Sequence, residues 1–433
     1  MKIAIAGYGV EGESSYRYWN TSDNQVVIVD EHQPSHPVPV DASLIVGEDA
    51  FAKLNGYDLV IRTAGLAPHK IKTDGKVWSA TNEFFEKCPA PIIGVTGSKG
   101  KGTTSSLITS MLRSAGKTVH LVGNIGVPAL DTLADVHADD IVVYELSSFQ
   151  LWDVERSPHV AVVLMIEADH LDVHRDFENY VQAKANIARY QTAADYVIYN
   201  ASNQSSTQIA RLSTAQQIPY QTEQSVRVQE GQFYYANQAL CSLEALRLPG
   251  YHNQDNACAA ITAVLALDNT VTPEAIEMGL SSFTGLPHRL RFVRNVQEVA
   301  YFDDSIATTP GSAIAAIHAF DAPKVLILGG SDKGADYTDL VDEIIASDTV
   351  RAVITVGRTG VKIKELLQAK AAGAAVTYVD SINMGDFVKA AAMRAQSGDV
   401  VILSPASASF DMFKNYGDRG DQFIAAVEKL EES

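Results

Sequence analysis

The chain has 433 residues, 46% of them hydrophobic and 20% charged; that is a globular composition, long enough for about three domains at roughly 150 residues each. Its 34 basic residues against 52 acidic ones leave a net charge of −18, so the surface as a whole repels nucleic acid and anionic membrane, and an anionic ligand must be met by locally placed cations. The cysteines Cys88, Cys241 and Cys258 have neither the number nor the spacing of a disulfide framework or zinc site, and no apolar run suits a signal peptide or membrane helix.

Short β-branched runs alternate with longer helical patterns in three blocks, which predicts an α/β protein with mostly parallel sheets built from βαβ units. The first block has strands at 3–6 and 26–29 around a helix beginning near Glu11, and ends at the proline-punctuated Cys88-Pro89-Ala90-Pro91. The second opens with a strand at 92–96, contains apolar runs at 141–144 and 160–166, and extends to about Arg294. Within it, residues 200–248 are Gln/Ser-rich and weakly periodic, which predicts a peripheral hairpin and loops. The third alternates strands at 299–302, 325–328, 352–356 and 400–403 with helices, as in a doubly wound sheet. The expected domains are residues 1–91, Rossmann-like; 92–294, a central P-loop ATPase-like domain; and 295–433, again Rossmann-like.

Gly7-Tyr8-Gly9-Val10-Glu11-Gly12 is a GxGxxG turn between strand and helix, with Asp30 at the end of the next strand. Such a turn brings helix N–H groups close to a diphosphate. A nicotinamide dinucleotide and a UDP-sugar both carry a diphosphate and ribose hydroxyls, so Gly7, Gly9, Val10 and Asp30 are candidate contacts for either.

The strongest local signal is Gly94-Val95-Thr96-Gly97-Ser98-Lys99-Gly100-Lys101-Gly102-Thr103-Thr104, where a strand turns into a helix. Successive backbone N–H groups in such a loop form an anion nest, and a terminal lysine reaches β- and γ-phosphates. Gly97, Ser98, Lys99, Gly100, Lys101, Gly102 and Thr103 are therefore candidate nucleotide contacts. The spacing departs from GxxxxGK[ST]: Val95 stands at the first glycine and Gly102 at the hydroxyl position, which leaves Thr103 as the nearest hydroxyl for Mg²⁺. Glu145, at the end of the next apolar strand, suits a hard cation beside phosphates. His170 and His174 form an HxxxH that invites a zinc reading, but at a strand end the helical geometry is missing and a magnesium-proximal His170 fits better. Lys184 falls on a predicted helix, where a lysine is ordinarily a solvated surface group.

Taken together and in order, TGSKGKGTT, GNIG, ELSSFQ, DHLDVH, YHNQDNACAA, GLPHR, DDSIATTP, GGSDKG and SPASASFDMFKNYGDRG resemble the Mur ligase superfamily over essentially the whole chain. GLPHR and SPASASFD look most like its MurD type. The resemblance implies a cytoplasmic, monomeric, ATP-dependent amide ligase of peptidoglycan synthesis without nucleic-acid or membrane partners. Its N-terminal domain would bind UDP, its central domain ATP, and its C-terminal domain an amino acid. UDP-N-acetylmuramoyl-L-alanine would be activated as an acyl phosphate and attacked by the amine of glutamate.

Carried over by motif position, Lys101, His170 and Lys184 would be catalytic. Thr103, Glu145, His170 and Lys184, the last as a carbamate, would hold two Mg²⁺ ions. Asn253 and Asn256 would reach adenine, with Arg289 and Asp304 also engaging the nucleotide. Asn124, Gln150 and His170 would face the UDP-muramoyl substrate. Thr308, Lys333 and Ser409 would bind the carboxylates of glutamate, beside Phe410 and Tyr416. Ile306 departs from the pattern, standing where many MurD-type enzymes have a lysine in DSKAT, and Lys99 adds a cation to the loop. Both features are similar to a variant subgroup that adds L-glutamate, so D-glutamate is the leading expectation and L-glutamate the alternative. A nicotinamide oxidoreductase would leave the phosphate loop without a role, a folylpolyglutamate synthase-like enzyme would leave the N-terminal GxGxxG without one, and a non-catalytic nucleotide-binding regulator would bind without turnover.

Overall fold

The structure is a computed structural model that describes every residue except Ser35, Ile125, Gly126, Asp172, Pro249, Lys333, Ala372, Ala374, Glu432 and Ser433. Three α/β lobes follow one another along the chain, each built on its own sheet. In the first, five parallel strands lie in the order Ser43–Val46, Gln25–Asp30, Lys2–Ala6, Leu59–Arg62, Lys76–Ser79. Lys2–Ala6 is buried on both faces beyond its first residue, which is why it reads as a continuous apolar run rather than an alternating one. The helix Val10–Trp19 leaves directly from the glycine turn. A Cβ on Gly12 would overlap the carbonyl oxygen of Gly7, so glycine is what lets helix and turn approach.

The second sheet has six parallel strands in the order Gln216–Tyr220, Tyr196–Asn200, Val160–Val163, Ile92–Thr96, Ile141–Glu145, Val119–Gly123. Ile92–Thr96 is entirely buried and is where the strand order reverses, so a crevice opens at its carboxyl end, the usual ligand position in such sheets. The helix Lys101–Ser114 follows and is covered by Tyr251–Leu267 and Pro273–Ser282. A Cβ on Gly279 would overlap the backbone of Met111; that glycine lets two of these helices touch main chain to main chain.

The segment 200–248 is more ordered than its polar composition suggests. It holds the helix Gln204–Arg211, the edge strand Gln216–Tyr220 and an antiparallel meander of Val226–Gln229, Gln232–Tyr235 and Gln238–Ser242. The edge strand escapes a periodicity reading because its first two residues, both glutamine, are exposed.

The first two sheets share one hydrophobic core, in which Ile3, Ile5, Trp19 and Phe84 pack in a cluster with Ile92, Tyr144, Leu146 and Leu151. Residue 91 is therefore the point where the chain passes from one sheet to the next inside a compact unit spanning Met1–Phe283.

The second compact unit is Thr284–Ser433. Its strands run Arg291–Val296, Val299–Asp303, Val400–Leu403, Lys324–Gly329, Val350–Val356, Val376–Val379, with only the first pair antiparallel. Gln297 and Glu298, at φ 51° and 60°, make the two-residue turn of that hairpin. The break read near residue 294 thus falls inside a strand, and the unit begins earlier, at Thr284. Among the described residues no helix is long and apolar enough to cross a membrane. Cys88 is half-buried and Cys241 and Cys258 are buried, all as free thiols.

Candidate active site

The buried strand Ile92–Thr96 delivers the glycine loop to the head of the helix Lys101–Ser114, whose N-cap is Gly100 at φ 86°. A side chain there would overlap Oδ1 of Asn256. The first-turn N–H groups of this helix have no intrahelical partner, an arrangement that suits an anion. Lys101 curls back so that its Nζ donates to the carbonyls of Gly97 and Ser98, both at 3.0 Å. Ser98 works inward. Its N–H donates to Met165 O, and its hydroxyl bonds the Glu167 carbonyl at 2.8 Å and meets Tyr180 Oη at 2.9 Å, so it braces the loop. Lys99 is exposed, Gly102 buried and Thr103 half-buried.

Lys184 sits on the helix Phe177–Arg189, capped by the Asp176 side chain. It is not on the surface: 1% exposed, it donates from Nζ to the Gly97 carbonyl at 2.9 Å and to Thr96 Oγ1 at 3.4 Å. Burial first, then the charge of Lys101, push its amine well below the ordinary lysine value, against the pull of Asp169 and Glu145. Two lysines thus converge on one carbonyl. The sequence signal for this was the position of Lys184 within the helix's buried stripe of Tyr180, Val181, Ala185 and Ala188, a place a solvated lysine does not take.

Glu145 ends the strand Ile141–Glu145 and is 2% exposed. Its carbonyl accepts the N–H of Asn124 at 3.3 Å, and a side chain at Gly123 would overlap that same oxygen. Gln150 closes a capping box with Ser147 on the short helix Ser148–Leu151. Asn253 and Asn256 bond each other at 3.2 Å on the first turns of Tyr251–Leu267, next to Gly100. The fold therefore gathers the loop, Lys184, Glu145, Asn124, Asn253 and Asn256 at the carboxyl end of one sheet. Among the described residues no three His, Cys, Asp or Glu side chains form a ready-made metal cage.

His170 is 48% exposed, has φ 54°, and lies 4.9 Å from the ring of Phe149. His174, 1% exposed, is stacked 4.2 Å from Trp152 and 5.4 Å from Phe149. Its Nε2 is 3.0 Å from Ser148 Oγ and its Nδ1 3.3 Å from Asn179 Oδ1. With both ring nitrogens engaged, His174 has no lone pair to give a zinc ion shared with His170.

At the N-terminal glycine turn, Asp30 accepts the N–H of Tyr8 at 2.9 Å and that of His32 at 3.2 Å, so it braces the turn. Gly7 has φ 92°, and a Cβ there would overlap Thr63 Oγ1. Val10 is 57% exposed at the rim. Glu11 accepts the N–H of Ala64 at 2.8 Å, and burial pushes its carboxyl up. Arg62, fully buried, pairs with Asp153 through two bonds of 2.6 Å.

In the C-terminal unit, Asp304 is buried and accepts from Ser404 Oγ at 2.7 Å and Leu290 N–H at 3.2 Å; burial pushes its carboxyl up to about 7. Arg289 and Thr308 are exposed and Ser409 is buried, while Phe410 and Tyr416 are largely exposed. Lys333 lies outside the described residues. Sequence reasoning missed the network beneath them. Buried Arg419 donates to Ser305 Oγ, Ser305 O and Ser407 O, and His288 Nδ1 lies 2.6 Å from Asp303 Oδ2. A Cβ on Gly420 would overlap that imidazole. These bonds hold the DDSIATTP and SPASAS turns against the helix Tyr416–Glu428.

A parallel sheet that presents a lysine-tipped glycine loop and a strand-end carboxylate defines, as a class, an α/β protein built for phosphoryl groups. The fold is shared with the UDP-N-acetylmuramate-alanine ligase MurC of Thermotoga maritima, at TM-score 0.59 and 16% identity with all of both chains covered. It is shared too with MurF of Acinetobacter baumannii, at TM-score 0.61 and 20% identity, covering 93% of this chain and 85% of that one. The Mur ligase middle domain matches residues 95–264, and the glutamate ligase domain of the Mur ligases matches 288–407. Over 99% of its length the chain is 33% identical to 97% of the UDP-N-acetylmuramoylalanine--D-glutamate ligase of Clostridium tetani. The enzyme of that name from Acetivibrio thermocellus is 36% identical, covering 90% of this chain and 87% of its own. The chain belongs to the Mur ligase family, in its MurD group.

Proposed function

We propose that this chain joins D-glutamate to UDP-N-acetylmuramoyl-L-alanine with hydrolysis of ATP to ADP and phosphate, as a cytoplasmic monomer in peptidoglycan synthesis. The observation that carries the reading is the convergence of Lys101 and buried Lys184 on the Gly97 carbonyl, in a chain that shares a third of its residues with D-glutamate ligases over nearly its full length. A carboxylate oxygen of the alanyl group attacks the γ-phosphorus, the bond to ADP breaks, and an acyl phosphate forms. The amine of glutamate then adds to the acyl carbon, loses a proton, and the tetrahedral intermediate expels phosphate to leave the amide. Two anions must meet in the first step, so cations have to neutralise them beforehand.

Lys101 supplies one such charge by exchanging its loop carbonyls for β- and γ-phosphate oxygens, while the first-turn N–H groups take the rest of the tail. Asn253 and Asn256 reach adenine, and Arg289 and Asp304 are further nucleotide contacts. Gly7, Gly9, Val10 and Asp30 hold the UDP end of the precursor, and Asn124, Gln150 and His170 its muramoyl end. Thr308, Lys333 and Ser409 take the glutamate carboxylates beside Phe410 and Tyr416. Residues 1–91 thus serve the precursor, the central lobe ATP and the C-terminal unit the amino acid.

The donor set fits magnesium: Thr103, Glu145, His170 and a carbamylated Lys184 would hold Mg²⁺ at two sites, where it supplies positive charge against phosphoryl oxygens. An amine kept neutral by burial is the form that adds carbon dioxide, losing a proton and becoming a carbamate anion. The carbamate anion would then attract the ammonium of Lys101, where the neutral amine offers it no charge.

Phosphate release with ATP, Mg²⁺ and UDP-N-acetylmuramoyl-L-alanine, supplied separately with D- or L-glutamate, tests the proposal. Release with the D isomer supports it, release with the L isomer alone reassigns the amino acid, and no release with either overturns it.

A further inference from the structure

We propose that Arg62 is a positioning residue that fixes the separation between the N-terminal glycine turn and the segment carrying Gln150, so that the protein gauges the length of its UDP-linked substrate; the idea rests on the substrate proposed above. Arg62 ends the strand Leu59–Arg62 and is 0% exposed. Its Nη1 donates to the carbonyls of Thr63, Ala64 and Leu66 at 3.1, 3.4 and 2.9 Å. Its Nε and Nη2 donate to Asp153 at 2.6 Å each, and Nη2 also reaches the carbonyl of Phe149 at 2.9 Å.

The two sets of partners belong to different sheets. The 63–66 turn walls the glycine loop: Thr63 Oγ1 donates to Ala6 O at 2.9 Å, and Ala64 N–H donates to Glu11 Oε2 at 2.8 Å. Phe149 and Asp153 flank Gln150 on and just after the helix Ser148–Leu151. Asn82 reinforces the second side, donating to Asp153 O and accepting from Glu155 N–H, each at 2.9 Å. One guanidinium therefore sets the register between the site for a diphosphate and the site for whatever the diphosphate carries.

Holding the sheets together does not require this arrangement, because they already share a hydrophobic core. A buried ion pair is a costly way to glue two surfaces that apolar side chains would join as well. What a planar fork adds is directional geometry on several acceptors at once, which the point charge of a lysine lacks. A ligand that touches only the glycine turn is indifferent to that register, whereas one that reaches both ends depends on it.

The test is calorimetric titration of the full chain, wild type, Asp153→Asn and Arg62→Lys, with UDP and with UDP-N-acetylmuramoyl-L-alanine. Wild type should bind the longer ligand more tightly than UDP; each variant should lose about tenfold of that excess while holding UDP within about threefold. The double variant should lose no more than either single one, since both break the same link. Should Arg62→Lys fail to fold, the near-isosteric Asp153→Asn carries the measurement. An excess retained in Asp153→Asn, or equal weakening toward both ligands, overturns the proposal. Wild-type turnover measured alongside separates the two ideas: a wild type that binds the long ligand with the predicted excess yet forms no amide refutes the proposed reaction and leaves the gauge standing.

Discussion

Burial holds the Asp304 carboxyl at about 7 even though Ser404 and Leu290 both donate to it. Relative to an unfolded value near ~3.9, the folded state binds this proton more tightly. Its contribution to stability is therefore present at low pH and is lost as pH rises from about 4 to about 7. Asp304→Asn should flatten that part of the profile, read as denaturant midpoints at pH 4.5 and 7.5. Asp268 has the opposite sign: bonds from Lys117 and Thr270 lower it to about 2, so its contribution is present above the unfolded value and is lost as pH falls toward about 2. Gly100→Ala would push a methyl into Asn256 at a left-handed position. It should destabilise by about 1–2 kcal/mol and raise the KM for ATP. Lys184→Ala should cripple turnover and be partly rescued by formate or acetate; intact rates in the variant without any added acid would refute the carbamate. The position of Lys101 was legible, because a glycine-flanked lysine between a strand and a helix marks a loop of this shape. Lys184 read as a surface group from its residue type and helix alone; the signal it offered, its place among Tyr180, Val181, Ala185 and Ala188, shows only when the helix face is traced.

At the level of elements, local chemistry announced most of the framework. The continuous apolar run at Ile92–Thr96 and the glycines after it fix a strand, a turn and a helix without reference to the rest of the chain. Elements stabilised by their neighbours were harder to see. Gln216–Tyr220 becomes a strand only because Tyr196–Asn200 offers it a parallel edge. The start of the C-terminal unit was hidden because His288 and Leu290, at φ 58° and 41°, build an irregular entry that carries no periodicity. The turn from His170 to His174 yields a prediction of its own. Since His174 is clamped between Trp152 and Ser148, chelator treatment followed by Mg²⁺ alone should restore full activity. A requirement for zinc in that assay would contradict the reading of this turn. His174→Phe should keep the stack and lose the Ser148 and Asn179 bonds, at a cost of about 1–2 kcal/mol in chemical denaturation.

For the molecule as a whole, the two parallel sheets of the compact unit Met1–Phe283 share one core, which predicts that they open together. Hydrogen exchange in mild denaturant should therefore release the amides of Lys2–Ala6 and Ile92–Thr96 in a single opening event. Separate release of the first sheet would show that the core is weaker than its composition implies. A chain cut at residue 91 should aggregate, because Ile92, Tyr144 and Leu151 would lose their cover. The sequence revealed three α/β blocks and their order along the chain. It did not reveal that two of them pool their apolar surface, since pooling leaves no trace in composition or spacing.

The ammonium of Lys101 rests on two carbonyls of its own loop, which sets a threshold for any ligand that would take it. A guest must outbid both oxygens before the side chain swings away, and a single weakly charged group offers too little in exchange. Inorganic phosphate or a nucleoside monophosphate should thus bind this loop weakly. A chain of phosphates can replace both oxygens and reach the nest at once, which under the proposed function favours a nucleoside triphosphate over shorter anions.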